Sequence, residues 1–273
     1  MSNTEVFEDK EHVSKLQKAV RDYHENNKVF NQVHVESAHE KCAIKFTDLF
    51  MENYFATNKS DTPKKRWDRV KKYYENICAD IATINDSKFS SISSIIRDYF
   101  ISAVALTLLP EKVIEMICDL LTQNNVRLLI DLFTGNGFVP FRFKLHGFDV
   151  YASDIKPCRD LHWLEVKRQN AEKFDFNGLK TYKESEQCLV LSWVPHQADE
   201  VDDVGILKRF QGDFVLWIGE EGSCGSWKLH VELSDNWESL SILHIPRFPQ
   251  ISDFIEIFRR RKQQDSSSRN GKK

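Results

Sequence analysis

The residues best suited to chemistry in this chain are gathered in Leu128–Pro157, LLIDLFTGNGFVPFRFKLHGFDVYASDIKP. Leu128, Leu129, Ile130, Leu132 and Phe133 form a near-continuous apolar run, the pattern of a strand covered on both faces. Gly135 and Gly137 follow; lacking a Cβ, they turn tightly and let the backbone approach a ligand. The spacing predicts a helix over Phe138–His146 with its free N–H groups directed at that ligand. Val150, Tyr151 and Ala152 then lead to Asp154, 19 residues beyond Gly135, close to the separation at which an acid grips a ribose. Such a unit makes a nucleotide-type pocket at the carboxyl ends of two adjacent parallel strands.

The residue types narrow the ligand. A dinucleotide fingerprint, G-x-G-x-x-G/A, needs a third small residue where helix and strand pack closely, and Pro140 stands there. This disfavours NAD, FAD and NADP, and with them a nicotinamide oxidoreductase. The phosphate loop G-x-x-x-x-G-K-[ST] is absent. Asp131 lies four residues before the first glycine, in Asp131-Leu-Phe-Thr134-Gly135-Asn-Gly137. This arrangement resembles the first motif of class I S-adenosylmethionine-dependent methyltransferases, with Asp154 where their ribose-binding acid lies. The resemblance implies S-adenosylmethionine as cofactor, held by Asp131, Thr134, Gly135, Gly137 and Asp154. It also implies an α/β, Rossmann-like, mostly parallel sheet of about seven strands, six parallel and one inserted antiparallel. Against it stands an α/β fold that uses these glycines only for turning.

A second chemically loaded stretch is Ser192-Trp193-Val194-Pro195-His196, at the end of the predicted fourth strand, CLVLSWV. Ligand sites of doubly wound sheets form at carboxyl strand ends, so this loop is expected beside the Gly135 pocket. It resembles the [DNS]-P-P-[YFW] loop of amino-group methyltransferases, and more closely the S-W-P-P-[YF] loop of a little-characterised methyltransferase-like group. Gly212-Asp213, Gly219-Glu220, Cys224-Gly225, Trp237, Ile245-Pro246, Asp253 and Arg259-Arg260 follow in that group's order, so the resemblance covers roughly 99–261. It implies catalytic roles for Ser192 and Pro195, whose polar side chain and backbone carbonyl would accept from a target amine, and acceptor contact for Trp193.

Two departures matter here. Val194 replaces the first proline, which restores an N–H and frees a φ angle. His196 replaces the aromatic; it is suited to stacking or to taking a proton near neutral pH, or else to a solvated loop. Glu220, at the end of the fifth strand, could orient an amine or act as base, or it could cap a helix beginning near Ser223 with Glu221. The acceptor is left open among small molecule, protein and nucleic acid. So is the alternative of a catalytically degenerate member serving as a binding or interaction module.

The elements that must position these residues are legible in part. With 273 residues, 41% hydrophobic and 29% charged, the chain has ample material for a core and a solvated surface. A net charge of −3 provides no global attraction to nucleic acid. The sequence divides into a helical N-terminal region (1–94), the methyltransferase-like domain (95–262) and a basic, Ser-rich tail (263–273) expected to be solvated. In the first, Trp67, Val70, Tyr74, Ile77, Ile81 and Ile84 mark an amphipathic helix. Pro110 opens another, with Val113, Ile114, Ile117 and Leu121 inward.

Downstream, strands are expected over Phe174–Tyr182 in part, Asp213–Gly219, Ser239–Ile245 and Phe254–Phe258, with a helix over Val204–Phe210. Trp227–Leu233 alternates like a strand where the order requires a helix. Asp199, Glu200, Asp202 and Asp203 read as a solvated helix start rather than a metal site, and His34 and His39 lack zinc-binding spacing. No metal is therefore expected. Six scattered cysteines, no leader-like N-terminus and no run of about 18 apolar residues lead to the expectation of a cytoplasmic or nuclear protein without a membrane span.

Overall fold

A computed structural model describes residues 61–82, 97, 104–157, 162–179, 181–196, 201–248 and 250–262. His34, His39, Cys42, Ile84, Cys158, Asp199, Glu200 and the tail from 263 lie outside them. The chain forms two compact units, one of residues 1–103 with 246–251, the other of 104–245 with 252–273.

In the first unit, helix α1 (Pro63–Ala82) buries Trp67, Val70, Tyr74, Ile77, Cys78 and Ile81, the stripe expected from steps of three and four. Trp67 meets Tyr74 edge to face at 5.3 Å.

The second unit is a sheet with helices around it. Helix α2 (Glu111–Gln123) precedes β1 (Leu128–Asp131), followed by α3 (Phe138–Leu145) and β2 (Asp149–Asp154). Next come β3 (Lys167–Arg168), β4 (Gln187–Ser192), α4 (Asp203–Arg209) and β5 (Phe214–Gly219). Helix α5 (Trp227–Asn236), β6 (Trp237–His244) and β7 (Phe254–Arg260) complete it. The strand order is β3-β2-β1-β4-β5-β7-β6. Strands β1 to β5 pair in parallel, and β7 runs antiparallel to both β5 and β6. Six strands therefore share one direction and one is inserted against them, the plan expected from the sequence.

Alternation along the strands separates two cores. Leu189, Leu191, Val215 and Trp217 face α4 and α5, while Cys188, Val190, Leu216 and Ile257 face α2 and α3. Each fully buried aliphatic side chain contributes about 1.5–3 kcal/mol relative to exposure, so the four central strands supply most of the driving force.

Three local expectations change. The third strand is Lys167–Arg168 rather than part of Phe174–Tyr182. Its two exposed cationic residues have no apolar signature. Phe174 instead follows one 3-10 turn and Phe176 opens the next, and their rings meet in series from Tyr151 to Phe210. The ambiguous Trp227–Leu233 is helical. Leu229 and Leu233, buried, are also four apart, which leaves Trp227 and Val231 outside. Asp203 is buried rather than solvated, and both its oxygens accept from Ser226, from the backbone N–H at 2.6 Å and the hydroxyl at 2.8 Å.

One buried charge had no sequence signal. Arg142 of α3 is wholly buried; it donates to the Leu109 carbonyl at 2.9 Å and to Glu111 Oε2 at 2.6 Å, and lies over the Phe138 ring. It pins the start of α2 to α3. Cys78, Cys118, Cys188 and Cys224 are buried thiols outside any disulfide, and burial pushes Cys118 up to about 12 and Cys224 to about 11, which makes these two poorly reactive.

Candidate functional site

Parallel pairing brings three strand ends to one edge. Asp131 pairs with Ala152 on one side and Val190 on the other, so Asp154 and Ser192 each stand two residues beyond its level. At about 4.8 Å per strand they are roughly 10 Å apart, with the glycine turn between them.

Gly135 has φ +58 and Gly137 φ +82, the left-handed region that glycine enters without strain. Asp154 holds this turn: its Oδ2 accepts from the Gly135 N–H at 2.9 Å and its Oδ1 from the Lys156 N–H at 2.7 Å. Each carboxylate oxygen retains a lone pair for a ligand hydroxyl. The turn is further tied to β2 by Thr134 N–H donating to the Ser153 carbonyl. Beside Asp154, Ile155 exposes an apolar side chain, 56% accessible.

Asp131 forms the floor. It is fully buried; Oδ1 accepts from the Phe133 N–H at 3.1 Å, while Oδ2 has no well-oriented partner. Burial, reinforced by the charge of Asp154, pushes its carboxyl up to about 7, although the nearby Phe133 N–H and Thr134 hydroxyl favour ionisation. The Thr134 and Ser153 hydroxyls are likewise buried without a well-oriented partner.

The expected free helix end is not what the fold provides. The Phe138 N–H is taken by the Asn136 side chain at 3.1 Å, and Pro140 has no N–H. The segment after β2 also folds over this end. Trp163, fully buried, donates its N–H to the Asn136 carbonyl and packs on Phe138 and Phe141.

The two glycines differ accordingly. A Cβ on Gly137 would meet Val166 Cγ2 at 3.0 Å and Leu164 Cγ at 3.4 Å, whereas a Cβ on Gly135 meets nothing within 4 Å. Open space above Gly135, an acid at the next strand end and an exposed apolar residue beside it suit a nucleoside. Chemical denaturation is expected to register Gly137→Ala as a loss of about 2 kcal/mol or more, from strained φ plus overpacking. Gly135→Ala should lose about 1 kcal/mol, from φ alone.

Ser192, buried, ends β4. Trp193 sits at φ +48, uncommon for a bulky residue and the kind of local strain that clusters at functional loops. Its N–H donates to the Ile218 carbonyl, and its indole N–H donates to the Thr107 hydroxyl, which in turn donates to Asp253. Trp193 thereby joins β4, β5 and the segments around Thr107 and Asp253. Val194 is buried, and its carbonyl accepts from the Gly225 N–H at 2.8 Å; Pro195 is half-buried.

His196 is exposed and its Nδ1 lies 2.9 Å from the Gly225 carbonyl. A carbonyl only accepts, so Nδ1 carries the proton and Nε2 keeps a lone pair when the ring is neutral. Glu220 Oε1 accepts from the Ser252 N–H at 2.7 Å, so this carboxylate anchors the segment ahead of β7. The helix that Glu220 and Glu221 were expected to cap starts later, at Trp227, and Ser226 caps it. Ser192, Trp193, Pro195, His196 and Glu220 thus share the edge that carries Asp154 and the glycine turn, with Glu220 one strand farther away. Thr107 carried no local signal and Asp203 only that of a helix start; both act through partners distant in sequence. Among the described residues, no three His, Cys, Asp or Glu side chains gather as a metal would require.

No protein-family model and no curated protein matches the chain. It is similar to solved structures at low identity. One is magnesium protoporphyrin IX methyltransferase from Synechocystis PCC 6803 with bound SAM, 10% identical, covering 75% of this chain and 100% of that one at a TM-score of 0.41. Another is the 1,6-didemethyltoxoflavin-N1-methyltransferase of Burkholderia thailandensis, 11% identical, covering 65% and 94% at 0.40. A third is an rRNA methylase from Streptococcus thermophilus, 13% identical, covering 55% and 97% at 0.33. By its own strand order and glycine turn, the chain has the Rossmann-like fold of class I methyltransferases.

Proposed function

We propose that residues 95–262 form an S-adenosylmethionine-dependent methyltransferase domain with an acceptor still to be identified. The carrying observation is the Asp154 carboxylate bonded to the Gly135 N–H beneath open space, level with the end of β4. Asp154 would take the ribose hydroxyls on its remaining lone pairs, and Ile155 would cover one face of the base. Asp131 and Thr134 would support the turn from below, with Gly135 and Gly137 giving close backbone approach. S-adenosylmethionine, when bound, supplies an electrophilic sulfonium methyl. The chain's own part is to position an acceptor and to take up the proton the acceptor loses once methylated. Ser192 and the Pro195 carbonyl would accept hydrogen bonds from an amino group, Trp193 would form a fixed wall, and His196 Nε2 or Glu220 would receive a proton. An amine is the favoured acceptor because Ser192 Oγ, the Pro195 carbonyl, His196 Nε2 and Glu220 can each accept one of its hydrogens.

A second reading is a degenerate member that serves as a binding module. It is favoured by the segment of Trp163, Leu164 and Val166 crowding Gly137, and by Trp193 and Glu220 already being bonded within the chain. Calorimetric titration separates the possibilities. The native chain is expected to bind S-adenosylmethionine saturably, and Asp154→Ala to bind it 10- to 100-fold more weakly, the scale of hydrogen bonds to a charged group. Lack of binding by the native chain overturns both the cofactor and the enzyme readings. Binding with no tritium passed from labelled cofactor to any acceptor in a cell extract supports the module.

A further inference from the structure

We propose that a cavity between α5 and the β7–β6 face is a second ligand site, which takes a small organic ammonium or amidinium carried on a flat apolar body. The cavity measures about 290 Å³, near the roughly 300–1,000 Å³ typical of small-molecule sites. Its floor is aromatic: Trp217 and Trp237 are each at most 2% exposed, and Phe258 is buried beside them. Phe254 and Glu256 are half-buried along one wall, and Glu221, Ser234 and Ser239 are exposed around the mouth. Apolar faces with a few placed acceptors suit a ring bearing N–H donors.

The charge is what selects the ligand. Glu256 sits on the core-facing side of β7, opposite Trp217, and no lysine or arginine among the described residues is ion-paired with it. Burial raises the Glu256 carboxyl above the usual carboxylate range and the charge of Glu221 adds to this, while the Ser239 hydroxyl and His230 favour the ionised form that a bound cation would also favour. Arg261, also lining the cavity, is exposed, and Arg260 is committed elsewhere: it donates to the Phe210 and Gly212 carbonyls and covers one face of Trp237 at 4.3 Å. That stacked pair is an internal example of the cation–aromatic attraction that the half-buried Phe254 ring can offer a ligand. Glu221 and Glu256 outnumber Arg261 among the lining charges, and with the aromatic walls they favour a cation over an anion.

This site is separate from the glycine turn. In the sheet order, β7 is three strands from β1, roughly 14 Å at the usual strand spacing. It is open to a ligand whether or not the turn binds a nucleoside.

The test titrates the full chain with phenethylammonium, its neutral isostere 2-phenylethanol and the anion phenylacetate. Binding is followed by tryptophan fluorescence and by the NMR shifts of the Trp217 and Trp237 indole N–H groups. Phenethylammonium is expected to bind at least about 10-fold more tightly than the alcohol, one charge-assisted contact's worth, and phenylacetate not to saturate. Glu256→Gln should bring the ammonium down to the alcohol's affinity, and Asp154→Ala should leave the titration unchanged. Ser234→Trp, at an exposed helix position on the mouth, should block all binding without disturbing the floor. Equal affinity for ammonium and alcohol, or a titration unaffected by Glu256→Gln or by Ser234→Trp, overturns the proposal.

Discussion

Asp131→Asn is expected to fold and, at pH 8, to be more stable than the native chain by up to about 4 kcal/mol, the free energy equivalent of moving a carboxyl from 3.8 to about 7. The sign follows from where the proton is. Between about pH 4 and pH 7 the unfolded chain has an ionised Asp131 and the folded chain a neutral one. The folded state therefore binds the extra proton, and this group's contribution to stability falls as pH rises through that window. Above pH 7 the penalty is present in full; below about pH 4 it is gone. Asn is neutral throughout and can still accept from the Phe133 N–H, so the two stabilities should converge near pH 4 and separate steadily above it. Urea unfolding of both proteins at pH 4.5, 6 and 8 measures this directly. A constant difference across the three pH values would show that Asp131 is ionised in the fold. At pH 8, where the folded carboxyl is ionised, the same substitution should weaken binding of a sulfonium cofactor, because the carboxylate's attraction for a cation is lost. A residue that costs stability yet aids binding is what a functional site is expected to contain.

Arg142→Met is expected to have the opposite effect, a loss of about 3–5 kcal/mol, the scale for breaking a buried ion pair by removing one partner. Methionine fills similar volume but removes the Arg142 donor from the Leu109 carbonyl and the guanidinium from Glu111. Glu111 retains about a quarter of its side-chain exposure and His146 as a neighbour at 3.6 Å, so its charge is partly rescued by solvent. Combining Arg142→Met with Glu111→Gln should therefore recover part of the loss, and a double-mutant cycle in urea should give a coupling of about 1–3 kcal/mol. If the single and double variants are equally destabilised, the carbonyl bond and packing, not the ion pair, are what α2 and α3 depend on.

The elements most legible in the sequence are those whose signal is local. Strands β1, β4 and β5 are runs of apolar residues covered on both faces, and a parallel central strand can hardly be written otherwise. Helix α2 announces itself with Pro110 before it and Asn124 after it. Strand β3 was hidden because two exposed cationic residues carry no pattern. Trp227–Leu233 was ambiguous because residues at i and i+4 satisfy a period of two as well as a helical face.

The same division runs through the candidate site. The spacing of Asp131, Gly135, Gly137 and Asp154 can be read without coordinates, since a glycine turn between a buried strand and the next strand's acid is specified within one short segment. What each group does there depended on tertiary structure. Asp154 holds Gly135, Asp131 is kept close to neutral by its burial, Trp193 is bound to Thr107, and Leu164 and Val166 close the space at Gly137 while leaving that at Gly135 open. Glu256 and the aromatic floor of the second cavity come together from β5, α5, β6 and β7 in the same way. Residue type and local period determine which backbone forms, because near neighbours in sequence dominate that choice. Desolvation, orphaned hydrogen bonds and cavities arise from atoms far apart along the chain, so only the packed fold decides them.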